Sequence, residues 1–177
     1  MRQKPKTASP MSNEGRNTYV MEHLTEALLE LLHKKSIDEI SVSELCNRAG
    51  VGRASFYRNF KSKEDILEQF VSKMFEQWQR DCESNANLPM SDLLGMLFSH
   101  FENNRNFYSL LNEKNLIYLL KDRIIKICGL EHGLPKAEAY AKAFAAYSLY
   151  GWIEVWFQRG MQESAEEIRQ LFQSQNL

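Results

Sequence analysis

Between Ser41 and Phe60 the 177-residue chain has room for two short helices and almost nothing to join them, and no other feature restricts its fold as much. The first helix opens on Ser41-Val-Ser-Glu44, a capping box in which the Ser41 hydroxyl accepts from the Glu44 N–H and the Glu44 carboxylate reaches back. Val42, Leu45 and Ala49 form its inward side. Gly50 ends it in the left-handed conformation that a side chain would penalise. After Gly50-Val51-Gly52 a second helix runs from Arg53 to about Asn59, with Phe56 and Phe60 four residues apart and facing inward. Two short helices joined by a tight, glycine-containing turn make a helix-turn-helix.

The flanking segments are also helical in period. From Asn17, apolar residues Val20, Leu24, Ala27, Leu28, Leu31 and Leu32 recur at three and four, which predicts a helix to about Lys35. Ser62-Lys-Glu-Asp65 caps a long helix with Ile66, Leu67, Phe70, Val71, Met74 and Trp78 on its apolar face, ending near residues 82–84. Asn85–Pro89 reads as a polar break. Ser91 caps a helix to about Glu102, Asn106–Leu111 is short, and Asn115–Cys128 is amphipathic. Pro135 opens a long helix to about Arg159 that Gly160 ends, and Ser164-Ala-Glu-Glu167 caps the last one. No segment alternates with period two for long enough to be a strand, and eight Gly and four Pro are too few for the turns of a sandwich or barrel. The chain reads as all-α, an N-terminal three-helix helix-turn-helix domain fused through a long helix to a C-terminal helical bundle. Residues 1–15 read as a disordered basic tail, 16–63 as the helix-turn-helix domain and 64–177 as the bundle.

Composition removes several alternatives. Apolar residues at 44% and charged residues at 25% are globular values, which excludes a wholly disordered or collagen-like chain. Cys46, Cys82 and Cys128 are odd in number and far apart, with no C-x-x-C pair, so the reading is reduced cytoplasmic thiols with no disulfide framework and no metal. The first fifteen residues have no apolar core and do not read as a signal peptide. The longest apolar stretch, Tyr140–Phe157, is broken by Lys142, Ser148 and Glu154 and reads as a buried helix, with no membrane contact. No G-x-S-x-G, H-E-x-x-H or P-loop is present, and neither an enzyme nor a cofactor is expected.

Charge is distributed unevenly. Residues 1–63 carry 11 Lys and Arg against 7 Asp and Glu, while residues 64–177 carry 11 against 16. A basic front and an acidic back is the asymmetry expected when one end touches nucleic acid. With Phe56 and Phe60 holding the second motif helix, Arg53, Ala54, Ser55, Tyr57 and Arg58 point outward, and no acidic residue follows until Glu64. A guanidinium fork, a hydroxyl and a phenol near a helix N-terminus suit base edges and phosphates in the major groove. Lys61 and Lys63 continue the positive strip.

The run from Ile40 to Leu67, which includes Ser41-Val-Ser-Glu-Leu-Cys46, Gly50-Val-Gly-Arg-Ala-Ser-Phe-Tyr-Arg58 and Phe60-Lys-Ser-Lys-Glu-Asp65, resembles the TetR family of transcriptional regulators over residues 17–67. The resemblance implies that the family's phosphate-facing hydroxyl falls on Ser41 or Ser43. It puts the recognition-helix contacts on Arg53, Ala54, Ser55 and Tyr57, and the phosphate-gripping lysine on Lys63. Gly52 stands where the family often has Ser, and the glycine usual before the second helix is missing from Lys35–Glu39. Asn104-Arg-Asn-Phe-Tyr108, Tyr150–Gly160 and Glu163–Ile168 resemble the regulatory domain of a TetR variant common in Firmicutes, in which the last two helices of each subunit form a four-helix dimer interface. The resemblance implies a cytoplasmic homodimer on double-stranded, palindromic operator DNA, acting as a repressor released by a small-molecule effector. The alternative is a TetR-like regulator, repressor or activator, controlled by a protein partner.

The C-terminal half adds two expectations from its own residues. The helix Tyr140–Phe157 is apolar at 15 of 18 positions counting Gly151, and such a helix has to be covered on every side. A second subunit supplies the cover, through Phe144, Tyr147, Gly151, Val155, Ile168 and Phe172, with Ala143, Ala146 and Gly151 permitting close approach. The aromatic density predicts an apolar effector cavity lined partly by Phe98, Phe101, Tyr108, Tyr118 and Trp152, or else an ordinary core. His100 beside Phe101 reads as a ligand-sensing group or a core histidine, and Cys46 as a buried thiol.

Overall fold

Local hydrogen bonds set the helix ends. In the computed structural model, which describes residues 13–83 and 90–174, the chain forms α1 (Asn13–Leu32), α2 (Val42–Ala49), α3 (Arg53–Asn59), α4 (Lys63–Glu83), α5 (Met90–Asn103), α6 (Arg105–Glu113), α7 (Leu120–Ile127), α8 (Lys136–Gln158) and α9 (Ala165–Ser174), with no strand among the described residues. The all-α expectation is met. The residues read as a polar tail lie outside the described residues up to position 12, while Asn13–Gly15 already belong to α1. The polar break at 85–89 also lies outside them.

Ser41 caps α2 by accepting the Glu44 N–H at 3.1 Å. The Glu44 carboxylate does not reach back to close the box. It takes both oxygens to the Lys35 ammonium at 2.6 Å, because the α1–α2 turn brings that stronger, charged donor alongside. Gly50 adopts φ +66° and returns its N–H to the Cys46 and Asn47 carbonyls, a left-handed stop at the motif turn. Ser62 caps α4 through the Asp65 N–H at 3.2 Å. The box at Ser164 is reciprocal: Glu167 N–H to Ser164 Oγ at 3.2 Å, and Ser164 N–H to Glu167 Oε2 at 2.7 Å. Ser91 is not a cap. Helix α5 starts at Met90, so Ser91 sits inside its first turn and is buried. The segment Asn115–Cys128 is not one helix either. Asn115 takes φ +56°, and a 3₁₀ turn at Ile117–Leu119 precedes α7. Leu116, Ile117, Leu119 and Leu120 are all buried, more inward positions in five residues than one face of a straight α-helix supplies.

The chain divides into two compact units between Ile66 and Leu67. In the first, α1 packs on α2 and α3. Leu24, Leu28 and Leu32 of α1, Leu45 of α2 and Phe56 of α3 are fully buried together with Ile40 and Phe60. Each such side chain removed from water stabilises the fold by about 1.5–3 kcal/mol. In the second, α5 packs on α9, and α8 on α6 and α7. Its centre is aromatic: Phe75, Phe98, Phe101, Tyr108, Trp156 and Phe157 are all nearly inaccessible, with ring centroids 4.8 to 6.2 Å apart. The α8–α9 corner is tied by Trp156 Nε1–H to the Glu163 carbonyl at 2.8 Å and Arg105 to the Met161 carbonyl at 2.8 Å.

Candidate nucleic-acid interface and effector cavity

Helix α3 is short, and tertiary anchors hold it more than its own caps do. Gly52 offers no side-chain cap, so the first turn closes through Ser55 N–H to the Gly52 carbonyl at 2.9 Å. Phe56 and Phe60 lie against each other at 6.1 Å, and Phe60 N–H closes the C-terminal end on the Phe56 carbonyl at 2.8 Å. With that side buried, Arg53, Ala54, Tyr57 and Arg58 stand exposed, and Ser55 is half-buried. Tyr57 is 65% exposed although its ring leans edge-on against Phe56. Ser41 and Ser43 are exposed at the start of α2, and Ser41 already accepts one hydrogen bond as the cap. Lys61 is exposed, with its backbone N–H bound to the Asp65 carboxylate at 2.8 Å.

Lys63 differs from the other cations. Its ammonium is half-buried and donates to the carbonyls of Ile37 and Ile40. Both carbonyls lie in the turn between α1 and α2, and that of Ile37 also accepts the Ile40 N–H at 3.2 Å. The expected open strip through Lys61 and Lys63 therefore contains one exposed cation and one that clamps the turn.

In the C-terminal unit the aromatic expectation needs correction. Phe98, Phe101 and Tyr108 are 0% exposed and pack on one another, so they form core and do not line a cavity. The Tyr108 hydroxyl shares a hydrogen bond with His100 Nε2 at 2.8 Å. Burial pushes the His100 imidazole down to about 4 and the Tyr108 phenol up, so both are neutral near pH 7. Tyr118 is 55% exposed and borders a shallow polar groove with Glu68, Asp122 and Arg123. Of the five expected residues Trp152 does line an apolar cavity, of about 340 Å³, between α4, α5, the end of α7, α8 and α9. Its other walls are Trp78, Leu93, Leu94, Leu97, Ile127, Cys128, Phe144, Ala145, Ser148, Leu149 and Phe172. Leucines at helical spacing look alike in any core, which is why the sequence pointed to the aromatics instead. Another face of α5 borders a polar groove that holds Asp92, His100 and Arg169. There Arg169 bridges Glu166 at 2.7 Å and Asp92 at 3.3 Å, and its stem passes so close to Gly95 that an added Cβ would lie 3.1 Å from it.

Helix α8 presents an apolar stripe to solvent. Tyr140, Phe144, Tyr147 and Val155 are 72%, 67%, 50% and 53% exposed, and Leu171 of α9 is 48% exposed. Gly151 sits in that stripe, and nothing lies within 4 Å of where its Cβ would be. Phe172 is half-buried. Ile168 and Ala146, expected at a subunit seam, are buried inside the unit, where α9 packs on α5 and α8 on α6 and α7. Tyr140 and Leu171 escaped notice, although Tyr140, Phe144, Tyr147, Gly151 and Val155 follow one helical face at steps of four and three. Among the described residues no group of three or more His, Cys, Asp or Glu is arranged to hold a metal ion, and no helix is long and apolar enough to cross a membrane.

Comparison with known proteins bears on this arrangement. The family model for bacterial regulatory proteins of the tetR family matches residues 24–70. YerO, an uncharacterized HTH-type transcriptional regulator of Bacillus subtilis (strain 168), is 26% identical over 104 residues, which is 54% of this chain and 36% of that protein. The alignment thus spans little more than a third of that relative's length. Among solved structures, Lin0861 from Listeria innocua has a TM-score of 0.70 at 16% identity, covering 95% of this chain and 94% of that one. The fatty acid degradation regulator FadR from Bacillus halodurans has a TM-score of 0.52 at 15% identity, covering 94% and 96%. At these identities the two structures support the all-α fold, and the family model supports the N-terminal motif. Residues 24–70, with the helix-turn-helix at their centre, thus match the tetR family of bacterial regulatory proteins, and the all-α fold that continues from them is similar to that of the solved structures.

Proposed function

We propose that this chain is a homodimeric, DNA-binding transcriptional regulator of the cytoplasm. Residues 16–63 form its operator-binding domain and residues 64–177 its regulatory and dimerisation domain. The observation that carries the reading is the outward side of α3. Arg53, Ala54, Tyr57 and Arg58 are exposed on a helix fixed from behind by two buried phenylalanines, with no carboxylate between Arg53 and Lys63. Guanidinium forks read guanine edges, and the serine hydroxyls of Ser41 and Ser43 with the Lys61 ammonium take phosphates. Lys63 spends two of its three N–H donors on the Ile37 and Ile40 carbonyls, which leaves one for a phosphate.

The exposed stripe on α8, with Leu171 of α9, is the surface for a second copy. A twofold pair then sets two α3 helices on the halves of a palindrome, one DNA turn of about 34–36 Å or a multiple apart. An effector lowers DNA affinity only as far as it prefers the other spacing of the two helices. Release of a repressor by a small molecule fits a C-terminal unit that contains an apolar cavity, and the structural likeness to a fatty acid degradation regulator favours that over a protein partner.

Selection of duplexes from a random pool, followed by anisotropy titration across salt concentrations, tests the reading. A palindrome should be enriched and bound about 10³-fold or more tighter than random DNA. A protein that enriches no palindrome, or binds no duplex at about 50 mM salt, overturns it.

A further inference from the structure

The apolar cavity and the exposed stripe of α8 meet at one place. Phe144 belongs to both, and its neighbour Ala145, also exposed, is on the cavity wall. The mouth of the cavity therefore opens on the surface that the stripe offers to a second copy. Inside, no wall residue is Asp, Glu, Lys, Arg or His. The polar side-chain groups on the wall are two indoles, the Ser148 hydroxyl and the Cys128 thiol, and burial pushes that thiol up, so it stays protonated. Every one of these groups is neutral. Moving an ionised head group from water onto such a wall costs several kilocalories with nothing to compensate it, whereas an uncharged molecule gains from the same walls. Of the charged groups of this unit, Asp92, Glu166 and Arg169 line another groove and are already paired with one another.

We propose that this cavity binds an uncharged, largely apolar small molecule, and that the second copy of the chain forms its lid, so that ligand binding and subunit association strengthen each other. The lid rests on the dimer reading above, whereas the ligand class rests on the wall alone. Coupling of this kind is reciprocal: whatever factor the dimer adds to ligand affinity, the ligand adds to dimer affinity.

The probes are N-phenyl-1-naphthylamine, which is neutral, and 1-anilinonaphthalene-8-sulfonate, the same ring system with an anionic group. The full chain should bind one neutral dye per subunit and bind the sulfonate about tenfold or more weakly. Cys128→Phe fills the cavity from the α7 end and Ala145→Phe fills it from the α8 side. Each should weaken the neutral dye about tenfold while circular dichroism and melting show a folded protein, and either one that folds suffices. Gly151→Glu places a charge in the stripe but off the cavity wall. It should sediment as a monomer and bind the neutral dye more weakly than wild type. Equal binding of the two dyes, or full binding by a folded cavity-filling variant, overturns the ligand class. A monomeric Gly151→Glu with undiminished dye affinity overturns the lid. A wild-type chain that sediments as a monomer refutes the dimer, and with it the lid, and in that case preference for the neutral dye still upholds the ligand class.

Discussion

Helices α3 and α8 both show solvent a face that the subunit itself leaves uncovered, and the two faces differ in kind. The face of α3 holds two arginines, which water solvates well, beside a tyrosine and an alanine. The face of α8 holds Tyr140, Phe144, Tyr147 and Val155, which water solvates badly. The first can stay open until an anion arrives. The second is an apolar patch of the sort that marks an interaction surface, and covering it would take apolar area out of water. The supports behind them differ too. Helix α3 has seven residues, too few to stand alone, and depends on Phe56 and Phe60. Helix α8 has 23 residues and rests on a whole aromatic core.

The largest effect should come from removing the support of α3. Phe56→Ala should cost about 3–5 kcal/mol by leaving a cavity under the recognition helix, read as a lowered denaturation midpoint together with loss of DNA binding. If DNA binding survives intact, α3 does not need its anchor and the contrast with α8 fails. Next is the apolar face itself. Val155→Glu should weaken the dimer about 100-fold, about 2.8 kcal/mol, by sedimentation, with the subunit's own melting little changed because Val155 is 53% exposed. An unchanged dimer would move the seam elsewhere.

The third test separates the cations around α3. Arg53→Ala should cost about 1–3 kcal/mol on the selected site and relax preference at one base pair. Lys61→Ala should weaken all duplexes alike and lower the salt slope by about one per site. Lys63→Met should leave the slope nearly unchanged and lower thermal stability by about 1–2 kcal/mol, since the Ile37 and Ile40 carbonyls lose a charged donor. A slope that falls by one with Lys63→Met would show that the remaining N–H of this ammonium meets a phosphate.

The smallest effect concerns pH. The folded-state pKa of His100 lies near 4, well below the ordinary 6.5 for histidine. Between those values the unfolded chain binds the extra proton, so the contribution of the neutral, buried imidazole is complete above about pH 6.5 and is lost as pH falls towards 4. Melting temperature should therefore fall over that window, and less steeply in His100→Asn. An equal slope in the variant would assign the acid sensitivity to other groups.

Much of the N-terminal unit could be read from the sequence because its determinants are local. Ser41, Gly50, Ser62 and the Phe56–Phe60 pair act within four residues of the bonds and contacts they control, so α2 and α3 begin and end where their residues predict. The outward set at Arg53, Ala54, Tyr57 and Arg58 follows from the same arithmetic once the inward pair is known. Where a partner comes from a distant residue, sequence reasoning had no purchase. Glu44 chose Lys35 over its own cap, and Lys63 chose carbonyls 23 and 26 residues away. The C-terminal unit shows the limit most plainly. An aromatic in a helix has the same spacing whether it fills a core, lines a cavity or faces water. Phe101, Trp152 and Tyr140 met those three fates in turn. The sequence by itself determined that α8 is apolar all round. Only the packing of α6 and α7 against it decided which side was covered, because burial belongs to the space between helices and not to any one of them.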